Sequence, residues 1–517
     1  MHVGAPVIPV SPSYSLVSKS FAKLRSIVGQ ANPAIIFVDD YQRFQHALAS
    51  IRDLHRAQLV VSAMRGAVPH GAVAIEHLSN EYHDYRRAAA TRGEVGCAYR
   101  AVSRETVAKV LFTSGSTDEP KGVINTQRML CSNQEAKAML WPFLKASPPT
   151  IVDWLPWNHT FGGNHNFNMV LRNGGTLYID EGRPTSGGFG RSIANLTGIA
   201  PTIYFNVPRG YELLVPALRA DGTLRRQFFS RLQLLFYAAA SLPKHLWEAL
   251  RELSIQQTGR VIPMLTSWGA TETAPLATDC YFQTDGPGVV GLPIPGCRIK
   301  LVPEGGKLEA RVSGPQVTPG YWGRPDLTAD RFDEEGFYRS GDAFTFVDRA
   351  RPVCGLIFDG RLSEDFKLST GTWVSVGALR LRALELLAPL AQDIVVAGHD
   401  RAEIGFLIFP SVPACVQLSN NDRTAIGLAE LPHNMNIRAR VRQCLSTLRE
   451  LSPASSTHAT RAILLPEIPS VDAGEITDKG YLNQRRCLAV RASYVEQLFA
   501  EPGDSVVIKL DVDSDQL

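Results

Sequence analysis

Short runs rich in β-branched and aromatic residues recur along the chain with helix-patterned or loop segments between them, and this alternation constrains the fold most. The runs cover 34–38, 59–63, 110–113, 151–155, 176–179, 202–207, 232–237 and 261–265. Strands that alternate with helices in this way predict an α/β architecture. From 305 to 361 the pattern changes to glycine-punctuated β-like pieces. Beyond Asp359-Gly360-Arg361 a new region opens, with strands expected at 394–397 and 404–409, a helix at 437–451 and a further strand at 462–465. A domain boundary is therefore expected near residue 362, which divides the 517 residues into 1–361 and 362–517. No internal repeat is evident.

Charge and cysteine usage narrow the function. The 53 basic and 50 acidic residues leave a net charge of +3, and no run of Lys or Arg forms a basic arm. Nucleic acid and charged membrane surfaces are thus not expected partners, and a small molecule is. The 8 cysteines lie far apart without a C-x-x-C pair, a poor spacing for a metal cluster or a disulfide framework. A reducing, cytoplasmic setting fits that pattern. The longest apolar stretch, 234–240, falls far short of the ~20 residues a bilayer requires, and Met1 is not followed by the pattern of a signal peptide.

The densest chemical signal is Thr113-Ser114-Gly115-Ser116-Thr117-Asp118-Glu119-Pro120-Lys121-Gly122. Hydroxyls, permissive glycines and a lysine in one short loop can wrap phosphate oxygens with N–H and O–H donors while the lysine adds charge. It is not a Walker loop, because Pro120 precedes Lys121 and Gly122 follows it. Alone, such a loop is more often a plain surface turn. Thr126 is placed to cap a helix that carries Met129, Leu130, Ala136, Met139, Leu140 and Phe143.

Residues 110–125, VLFTSGSTDEPKGVIN, resemble the phosphate loop of the adenylate-forming enzymes, the superfamily of acyl-CoA synthetases, luciferases and peptide-synthetase adenylation domains. Further similar segments follow in the order those families have: LPWNHTFGG (155–163), YAAASLP (237–243), SWGATET (267–273), GPQVTPGYWGRPDLTADRF (314–332), GFYRSGD (336–342) and GRLSEDFKLSTGTWV (360–374). The resemblance implies a large, multi-subdomain N-terminal adenylation domain joined by a hinge to a small, mobile α+β C-terminal domain. Within the superfamily, LPWNHTFGGNHNF, GGTLYIDEG and AGEITDKGYLNQRR look like feruloyl-CoA synthetases, which act on hydroxycinnamic acids.

The reaction so implied has two halves. A carboxylate attacks the α-phosphate of Mg-ATP to give an acyl-adenylate and pyrophosphate, and the thiol of coenzyme A then displaces AMP. Carried over position by position, the resemblance makes Thr113, Ser114, Gly115, Ser116, Thr117 and Lys121 the cradle of the β- and γ-phosphates. Thr271 becomes an α-phosphate contact and Glu272 a ligand of Mg2+, for which a hard carboxylate oxygen is suited. Ala239, Ala240 and Ser241 border the adenine, with Trp268 and Gly269 also at the nucleotide. Asp342 accepts from the ribose hydroxyls and Arg361 is a second ribose or phosphate contact. His159 lies in the loop that shapes the acyl pocket, with Asn206 and Tyr211 as further pocket candidates. His165, six residues on, is poorly spaced for a shared metal.

Four departures from the family pattern stand beside these expectations. Asp118 replaces the usual glycine and would repel phosphate unless it points away. The hinge position is Ser363, with Glu364 and Asp365 adjacent. The catalytic lysine that normally follows Ser-Gly aligns with Glu475 of Ala473-Gly474-Glu475, so the role is assigned to Lys479 of the feruloyl-type GEITDKG segment. Residues 1–15 resemble a motif that relatives carry roughly 100 residues into the chain, for which a missing segment and a misplaced start codon are equal explanations. Three functional readings remain: a hydroxycinnamate:CoA ligase, a ligase for fatty or other aromatic acids, and a nucleotide-binding relative without turnover.

Overall fold

The computed structural model describes residues 1–63, 71–74, 89–114, 119–185, 187–418, 427–470, 472–476, 482–501 and 503–510. The chain divides into two compact units. One comprises 1–300, 311–340 and 347–356, and the other 301–310, 341–346 and 357–517.

The first unit has the expected α/β character. Strands β1 (Ile35–Asp40), β2 (Gln58–Ala63) and β3 (Val73–Ala74) pair in parallel in that order. Next come β4 (Val107–Ser114) and β5 (Pro120–Thr126), an antiparallel hairpin, and β6 (Thr150–Asp153) with β7 (Thr176–Ile179), a parallel pair. Strands β8 (Ile203–Asn206), β9 (Leu234–Tyr237) and β10 (Met264–Thr266) form a parallel sheet in the order β10-β9-β8. Every residue of β8 and β9 is buried, which is why both read as continuous apolar runs without alternation. Helices carrying Tyr211, Leu214, Phe228 and Leu250 close over them and complete this core. Antiparallel β11 (Thr278–Asp279) and β12 (Val289–Pro293) follow.

Two local expectations shift. The run at 261–265 becomes a strand only from Met264, because Pro263 has no N–H to donate and serves the sheet through its carbonyl, which accepts from Leu235. The hydroxyl-rich loop does not pass directly into a helix, since β5 intervenes. Thr126 then caps the helix Gln127–Leu140, its hydroxyl accepting from the Met129 amide at 3.4 Å. Near the N-terminus, Val7 docks beside β4 by donating to the Ala108 carbonyl and accepting from the Val110 amide.

In the second unit, strands Ala391–Ala397, Gly405–Pro410, Arg461–Leu464 and Ile508–Lys509 form a sheet in that order, with only the central pairing parallel. Alternate residues face two separate cores, as a period-2 strand requires. Ile394, Val396, Phe406 and Ile408 meet the helices Val376–Leu387 and Met435–Leu451, while Val395, Leu407 and Phe409 meet Cys487 and Leu498. Among the described residues no helix is long and apolar enough to cross a membrane.

Buried charge appears in both units. Lys109, on β4, is 5% exposed; its ammonium donates to the Gly163 carbonyl and lies 5.7 Å from the Phe167 ring centroid. Burial pushes its pKa down to about 8. Glu475 is completely buried against Arg491, with N···O separations of 2.7 and 3.0 Å, and also accepts from the Ser470 amide.

Two stability predictions follow from these charges. An unfolded lysine titrates near ~10.4, so between about 8 and that value the unfolded chain binds more protons at residue 109 and stability rises with pH. Lys109→Met should remove this rise, so its melting temperature relative to the parent is expected to be highest at pH 7 and to fall towards pH 10. Glu475→Gln leaves Arg491 short of a buried anionic partner and should cost on the order of 3 kcal/mol in denaturant unfolding.

Candidate active site

Thr113 and Ser114 end β4, and Pro120, Lys121 and Gly122 begin β5, the two strands of an antiparallel hairpin. Its register sets Thr113 opposite Lys121 and Ser114 opposite Pro120. Gly115, Ser116, Thr117 and Asp118 lie outside the described residues. Beyond the tip the strands are tightly covered: a Cβ on Gly122 would approach Val110 to 2.9 Å and Trp322 to 3.2 Å, and the Gly122 carbonyl accepts from the Trp322 amide at 2.7 Å. Thr113 is half-buried, whereas Lys121 is only 6% exposed.

Lys121 emerges beside a second motif. Its ammonium lies 6.0 Å from the Tyr321 ring centroid, and the Tyr321 hydroxyl donates to Glu272 Oε1 at 2.9 Å. The Glu272 carbonyl accepts from the Thr318 amide at 2.8 Å, which ties the 267–273 and 314–332 segments together. Burial lowers the Lys121 pKa and Arg331 and Arg324 lower it further, while Glu272 acts in the opposite direction. Burial, then the Glu272 charge, raises the Tyr321 hydroxyl and keeps it a donor. Lys121, Arg331 and Glu272 thus come together next to the hairpin, with Arg324 close by but paired to Asp326 at 2.7 Å and Glu119 at 4.0 Å, and the two cations not so paired are suited to polyanionic phosphate.

Glu272 itself sits in a single 3-10 turn, Thr271–Thr273. The approach to that turn is close, since a Cβ on Gly269 would lie 1.7 Å from the Pro275 carbonyl oxygen. Trp268 is buried, with its amide donating to Thr278 Oγ1 at 3.2 Å, and Thr271 is buried with its carbonyl 3.5 Å from Asn125 Nδ2. The Glu272 carboxylate accepts from the Tyr321 phenol and interacts electrostatically with Lys121, and it offers the hard oxygen donor that Mg2+ takes when substrate phosphates supply other ligands. Among the described residues no cluster of three His, Cys, Asp or Glu side chains could hold a metal unaided. Ala239, Ala240 and Ser241 are exposed just past β9, with Ala239 in the left-handed region at φ 76°.

The loop carrying His159 leads into the π-helix Phe161–Asn166. His159 is half-buried, its Nδ1 3.3 Å from the Phe161 amide, and its carbonyl accepts from the Gly163 amide. His165 is buried among the rings of Phe161, Phe205 and Phe236; burial first and Lys137 second push its pKa down to about 3, so it is neutral. Its Nδ1 pairs with Asn166 Oδ1, whose amide group donates to Asp153. Asn206 and Tyr211 are both completely buried and committed to the core. Asn206 bonds Trp154, Tyr204 and the Val207 amide, and Tyr211 donates to the Tyr204 and Phe236 carbonyls.

Within the second unit, Asp342 is half-buried on the strand Tyr338–Phe346, with Arg361 Nε 3.6 Å from its Oδ1. Next to the expected hinge, Lys307 bonds Asp365 at 2.5 Å and the Ser375 hydroxyl at 2.9 Å. Burial raises the Glu364 pKa against the opposing charge of Arg361. Lys479 lies outside the described residues. Tyr321, Arg324 and Arg331 had no assigned role in the sequence, although all three fall inside the 314–332 segment that carries the resemblance.

Comparison with known proteins bears on the family and the fold. The AMP-binding enzyme family model matches residues 1–322. The chain is 26% identical over 314 residues to the malonate–CoA ligase of Arabidopsis thaliana, covering 56% of this chain and 47% of that protein. It is 28% identical over 371 residues to a long-chain-fatty-acid–CoA ligase of Escherichia coli, covering 66% and 61% respectively. The matches therefore span about half to three-fifths of these relatives. Among solved structures, ATP-bound MatB from Rhodopseudomonas palustris superposes with a TM-score of 0.66 over 96% of this chain and 85% of that one, at 19% identity. The adenylation domain of a carboxylate reductase from Mycobacterium chelonae gives the same TM-score over 97% and 76%, also at 19% identity. The fold is thus that of the adenylate-forming enzymes, and the hairpin, the Glu272 turn and the matched span together make this chain a member of the AMP-binding enzyme family.

Proposed function

We propose that this protein is an AMP-forming acid:CoA ligase. The observation that carries the reading is the convergence of Lys121, Tyr321 and Glu272 beside the hydroxyl-rich hairpin tip, in a chain whose family model covers that region. Thr113 to Thr117 and Lys121 hold the β- and γ-phosphates of ATP, Thr271 contacts the α-phosphate, and Ala239, Ala240, Ser241, Trp268 and Gly269 border the base. Asp342 and Arg361 hold the ribose. Glu272 would hold Mg2+ together with the substrate phosphates, and the ion would supply charge neutralisation there. Tyr321 orients the Glu272 carboxylate through its hydroxyl, and Lys121 offsets charge that builds on the departing pyrophosphate. Residues 362–517 act as the mobile domain, and His159 borders the acid. The whole cycle consumes a carboxylic acid, ATP and coenzyme A, and releases a thioester, AMP and pyrophosphate.

For the acid, we propose a hydroxycinnamate such as ferulate. The support is the feruloyl-type segments LPWNHTFGGNHNF, GGTLYIDEG and AGEITDKGYLNQRR. A second reading, an aliphatic acid, draws support from relatives named as malonate and long-chain-fatty-acid ligases.

Acid-dependent pyrophosphate release, measured over cinnamic, benzoic, dicarboxylic and fatty acids with and without coenzyme A, tests both levels. We expect release with ferulate, 4-coumarate or caffeate, and thioester only when coenzyme A is present. Formation of ADP and phosphate would overturn the ligase reading, whereas efficient turnover of octanoate or malonate with none of cinnamates would overturn only the acid. Lys479→Ala provides a residue-level check. A cation at the attacking carboxylate is worth several kcal/mol in a dry site, so acyl-adenylate formation should slow by orders of magnitude, while thioester formation from supplied feruloyl-adenylate is largely retained. Equal loss in both half-reactions would remove Lys479 from the chemistry.

A further inference from the structure

The helix Gln127–Leu140 carries two completely buried polar side chains one turn apart, Asn133 and Lys137. Residues four apart share a helix face, and this face is turned on the segment that contains Glu272. Asn133 Nδ2 donates to the Thr273 carbonyl at 3.0 Å and to the Leu276 carbonyl at 3.2 Å, while its Oδ1 accepts from the Leu276 amide at 3.2 Å. Asn133 therefore grips the chain just after the Glu272 turn. Lys137 reaches the other side by a relay. Its ammonium bonds Asp279 Oδ2 at 3.1 Å, and Asp279 Oδ1 accepts from the Ser267 hydroxyl at 2.6 Å, five residues before Glu272. The ammonium also stands 3.6 Å from the Trp141 ring centroid and 5.1 Å from that of Phe236. Those ring faces help hold a charge that burial disfavours.

A buried ion pair is a poor means of gaining stability, since apolar side chains of the same volume often serve as well or better. Position is the more physical explanation for Lys137 and Asp279. Both ends of the 267–276 segment are anchored to a single helix, and that helix is capped by Thr126, the last residue of the strand that carries Lys121. The frame thus fixes the distance between the lysine and the carboxylate. We infer that Asn133 and Lys137, the latter through Asp279 and Ser267, are positioning residues that set Glu272 for Mg-ATP. The inference rests on the nucleotide reading of the site and adds to it residues that touch no substrate.

The test measures ATP binding by calorimetry across a Mg2+ titration, alongside the melting temperature, so that no turnover is required. Ser267→Ala cuts the relay without emptying a large volume. It should keep its melting temperature within about 2 °C yet raise the Mg2+ concentration for half-maximal ATP binding about fivefold, the equivalent of one hydrogen bond. Lys137→Met alone should lose stability, because Asp279 is left buried without its cation. In Lys137→Met combined with Asp279→Leu, the melting temperature should recover while the Mg2+ requirement remains raised. Recovery of both quantities in the double variant, or an unchanged Mg2+ requirement in Ser267→Ala, would reduce the pair to a packing role and overturn the inference. A parent protein that binds no ATP at any Mg2+ concentration would instead defeat the nucleotide reading, and the inference with it.

Discussion

The antiparallel register that places Lys121 opposite Thr113 is the constraint on which the rest of the site depends. A hairpin holds its two strands in step by paired backbone hydrogen bonds, so a lysine on one side of the tip and hydroxyls on the other cannot drift independently. One residue of slip would turn Lys121 away from Tyr321 and bring Gly122, whose missing Cβ is what lets Val110, Phe112 and Trp322 close in, to a position where it offers no charge. The same strand ends in Thr126 and starts the helix that meets the Glu272 segment. Register, cap and helix face are thus consecutive steps of one covalent run, and they carry the order of the hairpin to the carboxylate.

Much of the α/β framework was legible from the order of apolar runs, both where strands are covered on each face, as β8 and β9 are, and where β-branched and aromatic residues set the strand's own propensity. The strands at 34–38, 59–63, 176–179 and 404–409 appear within a residue or two of their expected bounds. Strand β5 escaped notice because PKGVINT begins with proline and lysine and includes glycine and asparagine. Its strand character comes from pairing with β4 rather than from its own propensity. The chemistry of the hairpin was legible only through the ordered run of segments, since a Ser/Thr/Gly loop alone has no unique fate. The role of Tyr321 was not legible although the 314–332 segment that carries it was, and the Asn133–Lys137 face was not legible at all. A lysine and an asparagine on an amphipathic helix read as solvent-facing, and only the 267–279 segment arriving from far along the chain buries them.

Charge buried away from water recurs in this molecule and does different physical work in each place. Lys109 is held by a carbonyl and a ring, and burial depresses its pKa. Lys137 has a carboxylate, which in turn holds a serine. Glu475 has two nitrogens of Arg491 together with the Ser470 amide, which satisfies both carboxylate oxygens. The first arrangement lowers stability while the lysine is charged. The second and third replace the lost hydration with directed bonds and fix the backbone that carries them.

This distinction bears on the position where the sequence departs most from the family pattern. Glutamate at a position expected to hold a catalytic cation would oppose the chemistry if it faced the reacting groups. It does not face solvent: Glu475 is sealed beneath Arg491, and its carbonyl lies 3.5 Å from the Cys487 sulfur. The segment that contains it is closed by the bridge between Ile476 and Leu482 and by the Asn483 amide donating to the Glu475 carbonyl. Glu475 is therefore committed to holding the fold through Arg491 and the Ser470 amide, a structural use of the carboxylate that keeps it from acting on reacting groups, while Leu482 packs in the core.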